Sequence, residues 1–152
     1  MDRPQTAESP SSQLRSALLA AGLRITRQRL AVYDQLLRLD HPTAEEVYRR
    51  VQAGLESVSL ATIYKALEAL VACGLADKIM TMDGSSRYDA RRDGHYHLRC
   101  LKTGAVEDLQ TRFDPELIQK LDPKLADDLG RKGFQVTGYR LEVVGYFRDP
   151  IA

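Results

Sequence analysis

Cysteine is scarce in this chain of 152 residues: there are two, Cys73 and Cys100. Two thiols cannot build a four-cysteine zinc site within one chain. Without an export signal they also exclude a disulfide-rich secreted scaffold. Long apolar runs are missing. No stretch approaches the ~20 consecutive apolar residues of a membrane helix, and mean hydropathy is −0.35. The opening Met1 to Gln13 has no basic cluster followed by an apolar run, so it does not read as a secretory signal. A short disordered arm over residues 1–12 and a cytoplasmic location are expected. A surplus of one charge is missing as well. Lys and Arg number 22 against 21 Asp and Glu, so a polyanionic partner has to be sought in local charge. Histidine is limited to three, with none beyond His97.

What is present is soluble globular composition, with 43% hydrophobic and 28% charged residues. The length suits one ordinary domain or two small ones. From Ser12 to about Val71 the sequence reads as four helices. Leu14, Leu18 and Leu19 give the first an apolar face, and Gly22 is a stop signal. Thr26 is an N-cap for a second helix with Leu30, Tyr33, Leu36 and Leu37 inward. Asp40-His41-Pro42 breaks it, because the residue before proline avoids helical geometry. Thr43 and Glu46 match a capping box opening a third helix with Val47 and Val51 inward and Gly54 near its end. Ser59 caps a fourth, whose Leu60, Ile63, Leu67 and Leu70 share one side, with Gly74 as its stop.

The pattern then changes. Ala76 to Met82 and Ser86 to Asp89 read as strands joined by Asp83-Gly84, a hairpin signal. Helices followed by a hairpin describe a winged helix. After a hinge over 91–94, His95 to Cys100 and Ala105 to Leu109 read as strands around Lys102-Thr103-Gly104. Pro115 to about Leu129 reads as a helix. Gln135 to Phe147 reads as a final strand with Tyr139, Leu141, Val143 and Phe147 on one face. The expected fold is α+β: a winged-helix DNA-binding domain over 13–90 and a small C-terminal domain over 95–152.

Ser59, Thr62, Tyr64 and Lys65 lie off the apolar side of the fourth helix, near its N-terminal half. A recognition helix meets base edges with such residues. Between Gln13 and Arg38 stand Arg15, Arg24, Arg27, Arg29 and Arg38 against the single acid Asp34. This is the local positive charge that phosphate contacts require. Ser85, Ser86 and Arg87 on the hairpin are candidates for a wing contact. The competing reading is a solvated face with ordinary arginines, and Tyr64 packed at a domain boundary.

His95 and His97 are two apart in a strand, so both rings point to one face. Asp89 precedes them across the hinge, Asp108 sits on the next strand, and His41 opens the third helix. Imidazole with carboxylate suits Fe(II), Mn(II) or Zn(II). The competing reading is a satisfied polar strand pair, with Asp89 a turn residue, Asp108 a surface charge and His41 a loop residue. If His41 joined the C-terminal ligands, metal would tie the two domains together and set the spacing of recognition helices in a dimer.

Gly22-Leu23-Arg24-Ile25-Thr26-Arg27-Gln28-Arg29, His41-Pro42-Thr43-Ala44, Ser59 to Leu67, Arg87-Tyr88-Asp89 and His95 to Cys100 together resemble the ferric uptake regulator family. The similarity runs from about Leu14 to Phe147 in the family's order and spacing. The resemblance implies a homodimeric winged-helix repressor of a double-stranded DNA operator, with a C-terminal dimerisation domain. By position it implies one regulatory divalent metal per chain, Fe2+ or Mn2+ with Zn2+ an occupant of purified protein, on His41, Asp89, His95, His97 and Asp108. Aspartate at both carboxylate positions is similar to the peroxide-sensing branch. There, Fe(II)-catalysed oxidation of a ligand histidine releases the repressor from DNA, and the matching targets are His41 and His95. Glu107 adjoins Asp108 and is the alternative ligand after a one-residue register shift.

The sequence departs from the family at its structural zinc. Thr103 stands where the second cysteine of the first pair belongs, and the tail Gly145 to Pro150 has no second pair. The four-cysteine zinc is therefore expected to be missing, Cys100 and Cys73 are read as packing residues, and Tyr146 and Phe147 are candidates to stabilise the C-terminal domain instead. Other readings are an iron, manganese or zinc homeostasis regulator, a metal-independent winged-helix protein, and a small metal enzyme. The last lacks an evident nucleophile–base pair.

Overall fold

The computed structural model describes residues 9–90 and 93–148, and the chain divides into two compact units, residues 1–92 and 93–152. Residues 1–8 of the expected arm, and Arg91 and Arg92 of the expected hinge, lie outside the described residues.

The first unit opens with α1 (Pro10–Ala20), so the last three residues assigned to the arm are helical. Ser9 accepts the Ser12 N–H as N-cap and Pro10 takes the first helical position, where its missing donor costs nothing. Leu14 and Leu18 are fully buried, whereas Leu19 points outward at 66% exposure. In α2 (Arg27–Arg38), Thr26 caps Arg29 N–H, and Val32, Tyr33 and Leu36 are buried. Leu30 is half-buried against the core and Leu37 is exposed, so the apolar stripe is rotated toward Val32.

Helix α3 (Ala44–Gln52) starts with the complete capping box: Thr43 Oγ1 accepts Glu46 N–H, and Thr43 N–H donates to Glu46 Oε2 at 3.0 Å. Helix α4 (Leu60–Ala72) is capped by Ser59 and buries Ile63, Ala66, Leu67, Ala69 and Leu70. These helices share one core with Tyr88 of the following hairpin. Strands β1 (Asp77–Met80) and β2 (Ser86–Asp89) pair antiparallel. Gly84 supplies the φ of +81° that the turn needs. Asp83 Oδ1 accepts the Ser85 N–H, and the Thr81 hydroxyl donates to Ser85 O at 2.9 Å, which stiffens the turn.

The second unit is a three-stranded sheet in the order β4-β3-β5. Strand β3 (Tyr96–Cys100) is central, antiparallel to β4 (Val106–Leu109) and parallel to β5 (Glu142–Gly145). The single helix expected over 115–129 is two short ones, α5 (Leu117–Leu121) and α6 (Leu125–Arg131). Pro123 follows Asp122, whose extended ψ of 101° ends α5, as proline demands of its predecessor. The long final strand is cut to four residues. Val143 is 44% and Phe147 46% exposed, so the predicted inward face is open. Tyr146 and Phe147 do not fill the core of this unit.

Beneath the strands, Phe113 stacks on Tyr139 at 5.5 Å, and Tyr96 meets both rings. The Tyr96 and Tyr139 hydroxyls are 2.7 Å apart, and Tyr96 Oη accepts the Asp114 N–H at 2.8 Å. Gly94 lies against this cluster: a β-carbon there would meet Phe113 Cδ1 at 2.4 Å.

Candidate metal centre and nucleic-acid surface

In the first unit, His41 follows the end of α2 with φ of +44°, the left-handed region that a non-glycine residue adopts only when its surroundings enforce it. The enforcement comes from β2. Thr43 bridges Arg87, Tyr88 N–H donates to Pro42 O at 2.9 Å, and Arg87 Nη1 donates to His41 O at 2.9 Å. The loop is thereby laid along β2, and His41 Nε2 comes to 3.4 Å from Asp89 Oδ2. Its Nδ1 is 2.7 Å from Asp40 Oδ1. Both His41 and Asp89 are buried, at 3% and 8% exposure. Asp40 was not singled out from sequence, although a carboxylate beside a candidate ligand histidine is the signal for it.

In the second unit, His95 just precedes β3 and His97 lies on it. Their Nε2 atoms are 3.0 Å apart and the rings meet edge to face. His95 Nδ1 is 2.7 Å from Asp93 O, a carbonyl that can only accept. With Nδ1 donating to that carbonyl, Nε2 is the ring's acceptor nitrogen, and it faces His97 Nε2. His97 stands opposite Asp108 in the β3–β4 ladder, and Glu107 opposite Leu98. The period of two then sends Asp108 to the histidine face and Glu107 to the other. Asp108 Oδ1 lies 3.4 Å from His95 Nε2 and 3.8 Å from His97 Nε2. Each unit thus carries a set of hard nitrogen and oxygen donors suited to a divalent first-row cation.

Sequence similarity and fold now agree with this chemistry. The ferric uptake regulator family model matches residues 20–147. The chain belongs to the ferric uptake regulator family. It is 34% identical over 137 residues to the peroxide-responsive repressor PerR of Staphylococcus aureus (strain Mu50), covering 88% of this chain and 86% of that one. It superposes on the Campylobacter jejuni peroxide stress regulator with TM-score 0.61 and 27% identity, over 95% of this chain and 100% of that one. The Vibrio cholerae ferric uptake regulator gives TM-score 0.66 and 26% identity, over 88% and 98%. The family fold is a winged-helix DNA-binding domain followed by a dimerisation domain, and its members are transcriptional regulators, not enzymes. This ferric uptake regulator homologue is accordingly a DNA-binding metalloregulator.

The sequence-predicted DNA-binding residues are only partly brought together. Arg29, Thr62 and Lys65 line one groove of about 280 Å³ with Thr26, Gln28 and Ala66, where the N-terminal parts of α2 and α4 meet. The Arg29 guanidinium also donates to Arg24 O. Ser59 Oγ and Thr62 Oγ1 are 2.9 Å apart and serve the cap of α4. Tyr64 is 40% exposed on α4, with its hydroxyl donating to Glu45 Oε1 at 3.0 Å. Arg27 lines a separate groove with Asp34 and Arg50. Arg15 and Arg24 are exposed on and after α1. Arg38 is paired with Asp34 at 3.0 Å. Arg87, a candidate wing contact, donates to His41 O and lies 3.8 Å from Glu46, so it braces the His41 loop against β2.

Cys100 is buried at the end of β3. Hydrogen bonds from the Thr103 hydroxyl and from the backbone of Phe147, Thr103 and Lys102 hold its thiol down at about 7. Cys73 Sγ donates to Leu70 O at 3.5 Å. Among the described residues no helix is long and apolar enough to cross a membrane.

Proposed function

We propose that this regulator is a metal-dependent repressor whose His41, Asp89, His95, His97 and Asp108 ligate one divalent cation, Fe2+ or Mn2+ in the working protein, and that it senses peroxide. The observation that carries the reading is the donor chemistry of the two half-sites: His95 Nε2, His97 Nε2 and Asp108 Oδ1 converge in one unit, and His41 faces Asp89 in the other. Two or three donors alone make a weak site, whereas five would hold such an ion and still leave one position open to peroxide. Shared ligation favours one arrangement of the two units, and its binding energy sets the posture of the recognition helices.

Bound Fe(II) supplies reduction of hydrogen peroxide, with a ligand imidazole gaining one oxygen and one water released. The protein residues decide where this falls. Asp93 O, 2.7 Å from His95 Nδ1, orients that ring so that it would ligate a metal through Nε2, and Asp40 lies beside His41 Nδ1. Oxidation of either ring weakens its ligation, and the metal-held posture is lost. Similarity to PerR of Staphylococcus aureus and to the Campylobacter jejuni peroxide stress regulator supports this branch. So does aspartate at both carboxylate positions.

Helix α4 is the recognition helix for a double-stranded DNA operator, and Lys65 with Arg29 bind backbone phosphate. The working species is a homodimer. The exposed Val143, Val144, Tyr146 and Phe147, on or just beyond edge strand β5, are covered by a second copy.

The test is peroxide treatment of Fe(II)-loaded and Mn(II)-loaded protein followed by peptide mass spectrometry. Gain of one oxygen on His41 or His95 in the iron form only is the expected result. Unmodified histidines with iron bound would instead make the protein an iron, manganese or zinc homeostasis regulator using the same residues.

A further inference from the structure

Two adjacent carboxylates at the start of α3 have separate tasks. Glu46 closes the capping box on Thr43. Glu45 reaches to α4, where its Oε1 accepts the Tyr64 hydroxyl at 3.0 Å. The residues are nineteen apart in sequence, so the bond joins two helices rather than bracing one. Both ends of the tether are rigid. Tyr64 sits one turn inside a helix capped by Ser59, with Ile63 and Leu67 buried on its inner side. Glu45 sits in the first turn of a doubly capped helix, where the positive end of the helix dipole favours a carboxylate. The ring itself is 40% exposed. Untethered, such a side chain samples several rotamers and has to be ordered on binding. The bond also keeps the phenol a proton donor, since the carboxylate raises the Tyr64 pKa above its usual value.

We infer that Glu45 is a specificity-determining positioning residue of the DNA interface, which holds Tyr64 in one orientation so that its ring meets the operator ready-placed. The inference rests on α4 being the recognition helix. Immobilising a rotamer-rich side chain at an interface costs binding roughly two- to tenfold, and the tether removes that cost before DNA arrives. With its hydroxyl engaged by Glu45, Tyr64 meets DNA through ring carbons rather than as a hydrogen-bond donor.

The experiment uses full-length Mn(II)-loaded protein, a duplex selected by the wild type from a random library, and a scrambled duplex of equal length. Glu45→Ala and Glu45→Gln remove the same charge, but the Gln amide oxygen still accepts the tyrosine hydroxyl. The expected result is a two- to tenfold lower operator-to-scrambled ratio for Glu45→Ala and for Tyr64→Phe. The Glu45→Ala/Tyr64→Phe double variant should be no worse than either single one, and Glu45→Gln should lie near wild type. Equal ratios for Ala and Gln, or additive losses in the double variant, would overturn the tether while leaving α4 as the recognition helix. A wild type that selects no duplex would overturn the recognition-helix reading, and the inference with it. NMR of tyrosine-labelled protein without DNA supplies a separate readout: Tyr64 should titrate lower in Glu45→Ala than in wild type, and an unmoved titration counts against the tether.

Discussion

Asp108 stands directly opposite His97 in the β3–β4 ladder, with its Oδ1 within 3.8 Å of that ring's Nε2 and 3.4 Å from His95 Nε2. Glu107, one residue earlier, is opposite Leu98 and exposed on the other face. Asp108→Asn should therefore lower Mn(II) affinity by at least about tenfold. Glu107→Gln should leave it essentially unchanged. Isothermal titration of the two variants checks this, and the reverse ranking would place the ligand at Glu107.

His41→Ala should abolish metal-dependent DNA binding and leave the dimer intact, because the residue belongs to the first unit. Backbone strain adds a second expectation. At φ of +44° alanine is disfavoured and glycine is not. His41→Gly should be more stable than His41→Ala by about 1 kcal/mol, while both lose metal dependence. Thermal unfolding, gel filtration and operator binding separate the three effects.

Gly94→Ala should destabilise the second unit and weaken metal binding through His95, because its new methyl would collide with the Phe113 ring. The cost expected of overpacking is about 1–3 kcal/mol. Phe113→Leu in the same chain should recover part of it. No recovery in the double variant would assign the loss to backbone freedom at residue 94.

The Cys100 thiol is held at about 7 by the Thr103 hydroxyl and surrounding N–H groups. A folded-state pKa below the unfolded value gives stability that is present at high pH and lost as pH falls through the folded pKa. The stability difference between wild type and Cys100→Ala should thus grow from pH 7 to pH 9 and be smallest below pH 7. Thr103→Val should flatten the trend. Thermal melts across this range of pH test both.

Local chemistry made much of the first unit legible. Thr26, Thr43 and Ser59 cap the helices they were expected to cap, and Asp83-Gly84 turns the hairpin. Such signals act within a few residues, where sequence and geometry are tightly linked. The apolar stripe of α2 was less legible, because Val32 and Leu37 both fit a helical period and only packing chooses between them. The second unit is the least legible in the sequence. Its final strand is short, and the alternation from Tyr139 to Phe147 ends on open surface rather than in a core. Pro123, visible in the sequence, splits the expected helix. The candidate ligands were nameable from residue type and family resemblance. The register that separates Asp108 from Glu107, the Asp40 contact and the Glu45–Tyr64 bond belong to tertiary pairing, which a linear pattern does not encode.

The most direct test of the central claim is a titration of chelator-stripped protein with Mn(II), following operator binding and metal stoichiometry together. One ion per chain is expected, with a rise in operator affinity of at least about tenfold that saturates with that ion and is lost in His97→Ala. Stripped protein that binds the operator as tightly as the loaded form would contradict the claim, and would leave a winged-helix repressor whose histidines serve no regulatory metal.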